Sequence, residues 1–115
     1  MLAMIYRPAL WALVLLLGMP PGLADEPEQR RREAGHPATA VERLQELARD
    51  PDWEVRQRVS RNRRSPPELL HQLAEDPHPQ VRIGVATNIA TGERTFLKLA
   101  QDPELAVRSV VARFE

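Results

Sequence analysis

The chain repeats one stretch three times, as DPDWEVRQRVSRN (50–62), DPHPQVRIGVATN (76–88) and DPELAVRSVVARF (102–114). Each copy begins with Asp-Pro, at positions 50, 76 and 102, so the repeat has a period of 26 residues. The stretches TAVERLQELAR, SPPELLHQLAE and TGERTFLKLAQ repeat in the same register, beginning at Thr39, Ser65 and Thr91. Because apolar, polar and chain-breaking positions match together, a period of this length indicates stacked copies of one small structural unit.

Each unit has the pattern of two short helices. In its first half apolar residues recur at i, i+3 and i+4, as Leu44, Leu47 and Ala48 do in the first copy, which is the spacing of one helix face. In its second half two valines lie four residues apart, as Val55 and Val59 do. The Asp-Pro pair separates the helices, since the residue before proline avoids the helical conformation. We therefore predict an all-α fold, a short α-solenoid of six helices in three stacked hairpins.

Polar residues predict where these helices begin and end. The predicted N-caps are the hydroxyl residues that start each unit, Thr39, Ser65 and Thr91. Glu42 and Glu68 stand three positions later and complete capping boxes in the first two copies. Asn62 and Asn88 follow the second helices and are predicted to be left-handed C-caps.

The pattern D-P-x-x-x-V-R-x-x-V-x-x-N-x-x-[ST]-P-x-x-L-L-x-x-L-A resembles the leucine-rich repeat variant, a relative of HEAT and armadillo repeats. The resemblance covers residues 39–115. It implies a right-handed superhelix whose second helices line a concave, partner-binding face, and a function as a scaffold. It also implies a hydrogen-bonded ladder between neighbouring units, formed by Asp50, Arg56, Asp76, Arg82, Asp102 and Arg108.

Residues 1–24 have the three parts of a secretory signal peptide. Arg7 supplies positive charge, residues 9–19 form an apolar run, and small residues at 22–24 precede a cleavage point. The apolar run is shorter than the ~20 residues that a membrane span needs. We therefore expect cleavage after residue 24, export to the periplasm or the exterior, and no stable membrane span afterwards. The alternative is an uncleaved anchor over residues 2–23.

Between the signal segment and the first unit lie residues 25–38, DEPEQRRREAGHPA. They are charged, contain proline and glycine, and lack apolar periodicity, so they are predicted to be a flexible linker. The predicted order is thus a signal peptide at 1–24, a linker at 25–38 and helical repeats at 39–115.

The composition excludes several classes of site. The chain has no cysteine, so it has neither disulfides nor thiolate metal ligands. Its histidines, His36, His71 and His78, lack the i, i+3 or i+4 spacing of a helical metal site. No phosphate loop or nucleophile motif is present, so we expect no catalytic residue, metal or cofactor. Without the signal segment the net charge is −1, which argues against a nucleic acid partner, as does the lack of aromatic residues among the arginines.

The stretch VRQRVSRNRRS (55–65) contains five arginines and no acidic residue. Arg56 recurs as Arg82 and Arg108, which assigns it to the ladder between units. The other four do not recur as a set, so the repeat does not require them. The candidate binding residues of a basic groove are Arg58, Arg61 and Arg64, with Trp53 as a secondary candidate.

Two interpretations of this arginine cluster stay open. Helical periodicity places Arg58 and Arg61 beside the apolar face of their helix, where a groove would lie. Such a groove would bind an acidic protein segment or anionic envelope material. The alternative is a solvated helix face, in which Glu54 pairs with Arg58 and neutralises part of the charge.

We expect an exported helical-repeat protein that acts as a protein-binding or scaffold module, with a protein as its partner. The alternative is an accessory or chaperone-like subunit of an envelope enzyme complex. Phe114 stands where the earlier copies have Asn62 and Asn88, so the last apolar face needs a cover. We expect that end to be closed by self-association or by a partner, because repeat stacks need polar caps for solubility.

Overall fold

The structure, a computed structural model, describes residues 26–114; the predicted signal peptide and its cleavage site lie outside them. Seven α-helices and no strand within these residues confirm the all-α class. The helices are α1 (Pro27–Gly35), α2 (Val41–Leu47), α3 (Trp53–Arg61), α4 (Pro67–Leu73), α5 (Pro79–Ala86), α6 (Glu93–Leu99) and α7 (Leu105–Arg113). None of these seven is long and apolar enough to cross a membrane.

The helices form two layers. In one layer α1, α3, α5 and α7 lie side by side in chain order, and α2, α4 and α6 each pack against the neighbouring helices of that layer. This packing is compatible with a helical repeat. Between the layers the fully buried apolar side chains are Leu44, Leu47, Val55, Val59, Leu70, Val81, Val85, Leu99, Val107 and Val111. Burial of each is worth about 1.5–3 kcal/mol, so this interlayer core is the main source of stability.

The hydroxyl residues that start each unit do not cap the following helix. The N-caps of α2, α4 and α6 are Ala40, Pro66 and Gly92, and none makes a side-chain cap bond. Instead, each hydroxyl donates to a carbonyl oxygen six residues earlier, at the end of the preceding helix. The predicted N-caps at Thr39, Ser65 and Thr91, and the capping boxes with Glu42 and Glu68, are therefore wrong. The hydroxyls satisfy the last carbonyls of the preceding helix, which lack partners within it.

Of the two asparagines predicted as left-handed C-caps, Asn62 has an extended backbone and Asn88 lies one residue beyond the C-cap. Asn62 ends α3 with a φ of −75°, and α5 ends at Thr87 with a φ of −92°, before Asn88. The Asn62 amide donates to the carbonyl oxygens of Ala34 and His36, at 2.8 and 3.0 Å. Asn88 makes the same two bonds one unit further on, at 2.9 Å each. The asparagine side chains therefore join successive helices of one layer.

The prediction of a flexible linker at 25–38 is wrong for Pro27–Gly35, which forms α1 and packs on α3. Ala34 is fully buried in this contact. Arg30 Nε donates to Asp50 Oδ2 at 2.6 Å, which ties α1 to the turn before α3. The helix is therefore part of the folded domain.

The sequence pattern does not predict helix α1, because polar residues stand at the positions that are apolar in the other helices of its layer. Arg30 stands one repeat period before Arg56, in the same helical position. Gln29 and Glu33, however, occupy the places of the two core valines of α3. Helix α1 is therefore hydrophilic, with Ala34 as its one buried residue, and a polar outer helix is what the end of a stack requires.

Candidate functional site

Two of the arginines that recur in the repeat, Arg56 and Arg82, bind carboxylates of the following hairpin. Arg56 Nε and Nη2 lie 2.7 and 3.2 Å from the two carboxylate oxygens of Asp76, and Nη1 donates to the Asp50 carbonyl oxygen at 2.8 Å. Arg82 binds the Asp102 carboxylate at 2.8 and 3.1 Å, and the Asp76 carbonyl oxygen at 2.7 Å. Such bidentate pairing requires the planar guanidinium group.

The aspartates of this ladder are buried and fully hydrogen-bonded. Asp50, Asp76 and Asp102 are 6–9 % exposed, and each also accepts the backbone N–H two residues later, at 2.9 Å. Among residues 26–114, no buried side-chain nitrogen or oxygen lacks a hydrogen-bond partner. The ladder groups are therefore engaged within the fold, except Nε and Nη2 of Arg108, which have no acidic partner within residues 26–114.

The arginines that do not recur in every copy of the repeat differ from the ladder arginines in exposure and in pairing. Arg58, Arg61, Arg63 and Arg64 are exposed, and none forms an ion pair within residues 26–114. The expected pair between Glu54 and Arg58 does not form, because the Glu54 carboxylate lies 3.5 Å from Nε of Arg31 on α1. The presence of α1 thus leaves this cluster without its predicted neutralising partner.

Arg58 and Arg61 line one groove, which we call the α1–α3 groove. It has a volume of about 350 Å³, and its other lining residues are Gly35, Gln57 and Asn62. A Cβ built on Gly35 would lie 3.6 Å from Cδ of Arg58, an ordinary van der Waals distance, so the Arg58 stem passes close to this glycine. Both arginines stand in the last turn of α3, where the helix dipole favours cations.

The other two candidate residues lie elsewhere. Arg64 is in the loop after α3, outside the groove lining, and its backbone N–H donates to Asn62 Oδ1 at 2.9 Å. Trp53 begins α3 and stacks on His78, with ring centroids 4.0 Å apart and planes 8° apart. It is eight residues from Arg61 along the helix, about 12 Å. The structure therefore brings together Arg58 and Arg61, with neither Trp53 nor Arg64 among them.

Charged contacts hold α1 against its neighbours. They thereby fix the helix whose Gly35 lines one side of the groove. Arg31 donates to Asp52 at 2.9 Å, and this bond raises the pKa of the arginine. Burial raises the pKa of Asp52, but the Glu54 N–H and Arg31 lower it more, so its net pKa is below the ordinary value. On the other side Arg43 donates to Glu33 at 2.7 Å, which raises the pKa of Arg43.

The three histidines contact different partners. His71 Nδ1 lies 2.7 Å from Thr95 Oγ1, and His36 Nδ1 accepts the Ala38 N–H at 3.0 Å. His78 stacks on Trp53 and accepts a backbone N–H at 3.2 Å. No group of three His, Cys, Asp or Glu residues within the described part of the chain could hold a metal ion.

The α1–α3 groove offers charge-assisted hydrogen bonds. A guanidinium has five N–H donors in a planar fork that matches a carboxylate or a phosphate, and two such groups line this groove. Gly35 and Gln57 could not be identified from the sequence pattern, because they line the groove only when α1 packs on α3. Comparison of the chain with protein-family models, curated proteins and solved structures finds no match in any of the three.

Proposed function

We propose that this chain is an exported helical-repeat protein, a short α-solenoid of the HEAT-like, leucine-rich repeat variant type, that acts as a protein-binding or scaffold module. Support for the repeat comes from hydrogen bonds that recur at equivalent positions of successive units, those of Arg56 and Arg82 and those of Asn62 and Asn88. Support for export comes from the pattern of residues 1–24.

The α1–α3 groove is the binding site in this proposal, and its ligand is an acidic segment of a partner protein. One observation carries this assignment. Arg30, Arg31, Arg43, Arg56 and Arg82 all pair with carboxylates. Arg58 and Arg61, in contrast, line a groove and have no acidic partner among residues 26–114. Guanidinium groups so placed gain charge-assisted bonds when a carboxylate enters.

The ladder indicates how a carboxylate would sit in the groove. In this fold Nε and Nη2 of one arginine take both oxygens of one carboxylate. The Arg58 and Arg61 side chains start less than one helical turn apart, so neighbouring acidic residues of one segment can each take one guanidinium. A phosphate-bearing envelope component shares part of this chemistry and is an outcome of the test.

The test is crosslinking and affinity capture of the tagged protein from its native envelope fraction. The variant Arg58→Ala/Arg61→Ala removes the groove arginines. The matched variant Arg63→Ala/Arg64→Ala removes equal charge from the adjacent loop, and circular dichroism checks that both are folded. A partner lost with the first pair and kept with the second supports the groove. A partner kept with both would leave Arg58 and Arg61 as a solvated helix face.

The salt dependence of binding distinguishes the classes of partner. Binding through exposed arginines weakens steeply as ionic strength rises, because salt screens exposed charges. A partner that remains at fixed stoichiometry in high salt would indicate an accessory subunit held by another surface. Retention of phosphate-bearing lipid in place of protein would assign the groove to envelope material.

A further inference from the structure

Glu54 has a cation within reach on each of two helices. Its carboxylate lies 3.5 Å from Nε of Arg31 on α1. Arg58 follows it by four residues on α3, and this spacing, with the acidic residue first, favours an ion pair on a helix surface. Within residues 26–114 Glu54 nevertheless pairs with Arg31, and no ion pair joins it to Arg58. The partner of Glu54 therefore depends on the presence of α1.

Arg31 is held over the first turn of α3, where Glu54 stands. Its Nε donates to Oδ2 of Asp52 at 2.9 Å, and Oδ1 of the same carboxylate accepts the Glu54 N–H at 3.0 Å. The Arg31 side chain is 27 % exposed, so water only partly screens these contacts. Asp52 thus fixes the guanidinium group beside the Glu54 carboxylate.

Among the acidic residues of α1 and α3, Glu54 is the one placed to reach a groove arginine. Glu33 is bound by Arg43 at 2.7 Å. Glu28, at the start of α1, also faces Arg31, at 3.7 Å. Arg61 lies seven residues beyond Glu54, about 10 Å along the helix, so Glu54 acts on Arg58 alone.

Polar contacts carry most of the attachment of α1. Ala34 is its one buried residue. The ion pairs that join α1 to the rest of the fold are Arg30–Asp50, Arg31–Asp52, Arg31–Glu54 and Glu33–Arg43. A segment with few buried apolar side chains opens more readily than the core. Helix α1 is therefore the side of the groove that can be released while α3 stays folded.

We propose that Arg31 is a positioning residue of the α1–α3 groove: by holding Glu54, it leaves Arg58 free for the acidic segment. This role rests on the proposed function of the groove and adds its regulation. When α1 is released, Glu54 pairs with Arg58 and Gly35 no longer lines the groove, so the site loses one guanidinium group and one side. Because such coupling is reciprocal, a bound acidic segment stabilises the packing of α1 on α3.

The first test needs no ligand. Phenylglyoxal modifies guanidinium groups and reacts more slowly with those in ion pairs, so its rate at Arg58, read by peptide mass spectrometry, measures how free this group is. Arg31→Ala should slow the reaction at Arg58 about two- to three-fold, and Arg31→Ala/Glu54→Gln should restore the wild-type rate. Arg32→Ala removes equal charge from the exposed side of α1 and should leave the rate unchanged. An unchanged rate in Arg31→Ala, or one that Glu54→Gln does not restore, would overturn the proposal.

The second test uses fluorescently labelled hexaglutamate as the acidic segment, with binding followed by anisotropy at low salt. Arg31→Ala should weaken binding by a similar factor, and Arg31→Ala/Glu54→Gln should restore it. In wild type, where Arg31 already holds Glu54, the change Glu54→Gln should have a smaller effect than in Arg31→Ala. If Arg31 only held α1 in place, Glu54→Gln would have the same effect in both, and that result would overturn the proposal.

The two tests separate the role of Arg31 from the proposed function of the groove. If hexaglutamate binds wild type and Arg58→Ala/Arg61→Ala equally, the groove is not the site of the acidic segment. The modification rates at Arg58 still decide whether Arg31 keeps Glu54 away from it.

Circular dichroism establishes that the variants are folded. If Arg31→Ala does not fold, Asn62→Ala releases α1 by another route, because the Asn62 amide donates to the Ala34 carbonyl oxygen. It should likewise slow the modification of Arg58, and Glu54→Gln should reverse the change. An unchanged rate at Arg58 would again overturn the proposal.

Discussion

Gly84 in α5 lies directly against the side chain of Ser60 in α3. A Cβ built on the glycine would be 1.9 Å from Oγ of Ser60 and 3.0 Å from its Cβ. Both residues are buried, and the Asn88 amide bonds to the Ser60 carbonyl oxygen at 2.9 Å. The close packing of α3 on α5 therefore depends on the missing side chain at position 84.

Gly84→Ala should lower the free energy of unfolding by about 1–3 kcal/mol, because Ser60 or the whole of α3 must move. Urea denaturation measures this change. Gly92→Ala is the matched control, since a Cβ there meets nothing within 4 Å and the backbone φ is −74°. Because Gly92 is the N-cap of α6, the entropy gained and the poorer capping by alanine oppose each other, and stability should change by no more than about 0.5 kcal/mol. Equal stability of the two variants would contradict the close approach.

Arg82→Met should lower the free energy of unfolding by about 3–5 kcal/mol, because the buried Asp102 carboxylate would lose its partner. Arg82 is 9 % exposed and Asp102 is 6 % exposed. The same replacement at Arg58, which is exposed and forms no ion pair within residues 26–114, should change stability by no more than about 0.5 kcal/mol. Chemical denaturation of both variants compares them, and a small loss for Arg82→Met would count against a structural role of the ladder.

Asn62→Ala should release α1 from α3. The substitution removes the donor to the Ala34 carbonyl oxygen and one of the two donors to that of His36, which still accepts the Thr39 N–H, a loss of about 1–3 kcal/mol. Hydrogen exchange should then become faster in Pro27–Gly35 than in the rest of the protein, since locally weakened segments open first. Arg32→Ala, on the exposed side of α1, is the control and should leave exchange unchanged. Uniformly faster exchange would show that α1 does not open as a separate unit.

The Asp52 carboxylate should make stability depend on pH in the acidic range. Its pKa is below the ordinary value of 3.8, so the folded state favours the ionised form. The stabilisation is therefore present above pH 3.8 and is lost as the pH falls through the lower, folded-state value. Asp52→Asn should accordingly be less stable than wild type at neutral pH, and the difference should shrink below pH 3.8. A difference that stays constant from neutral to acidic pH would contradict this assignment.

The fold class could be predicted because it depends on apolar residues that recur at helical spacing. Val55 and Val59 and their equivalents recur at helical spacing, and the same valines are fully buried. Helix α1 has Gln29 and Glu33 at those positions, so of the residues shared by α3, α5 and α7 only the ladder arginine is present in it, as Arg30. The hydroxyl at Ser65 stands between two helices, and its partner depends on which helix end lies nearer in space.

The candidate site could be predicted only in part. Helical periodicity places Arg58 and Arg61 on one side of α3, and both line the groove. Gly35 could not be predicted, because it lies on a helix that the sequence pattern does not show. Arg64 is near Arg61 in sequence but lies past the end of α3, where helical periodicity no longer applies.

The ladder bonds run in one direction along the chain, from an arginine to the aspartate of the next hairpin. A further unit could therefore be inserted between two existing ones. Arg56 and Arg82 each bind the aspartate carboxylate of the next hairpin, and the Asn62 and Asn88 amides each donate to carbonyl oxygens of the preceding helix of the layer. A duplicate of residues 65–90 inserted after Ala90 would bring one arginine, one aspartate and one asparagine, each with a partner in the adjacent copy. Gene duplication can therefore lengthen this protein by whole units without any change to its core.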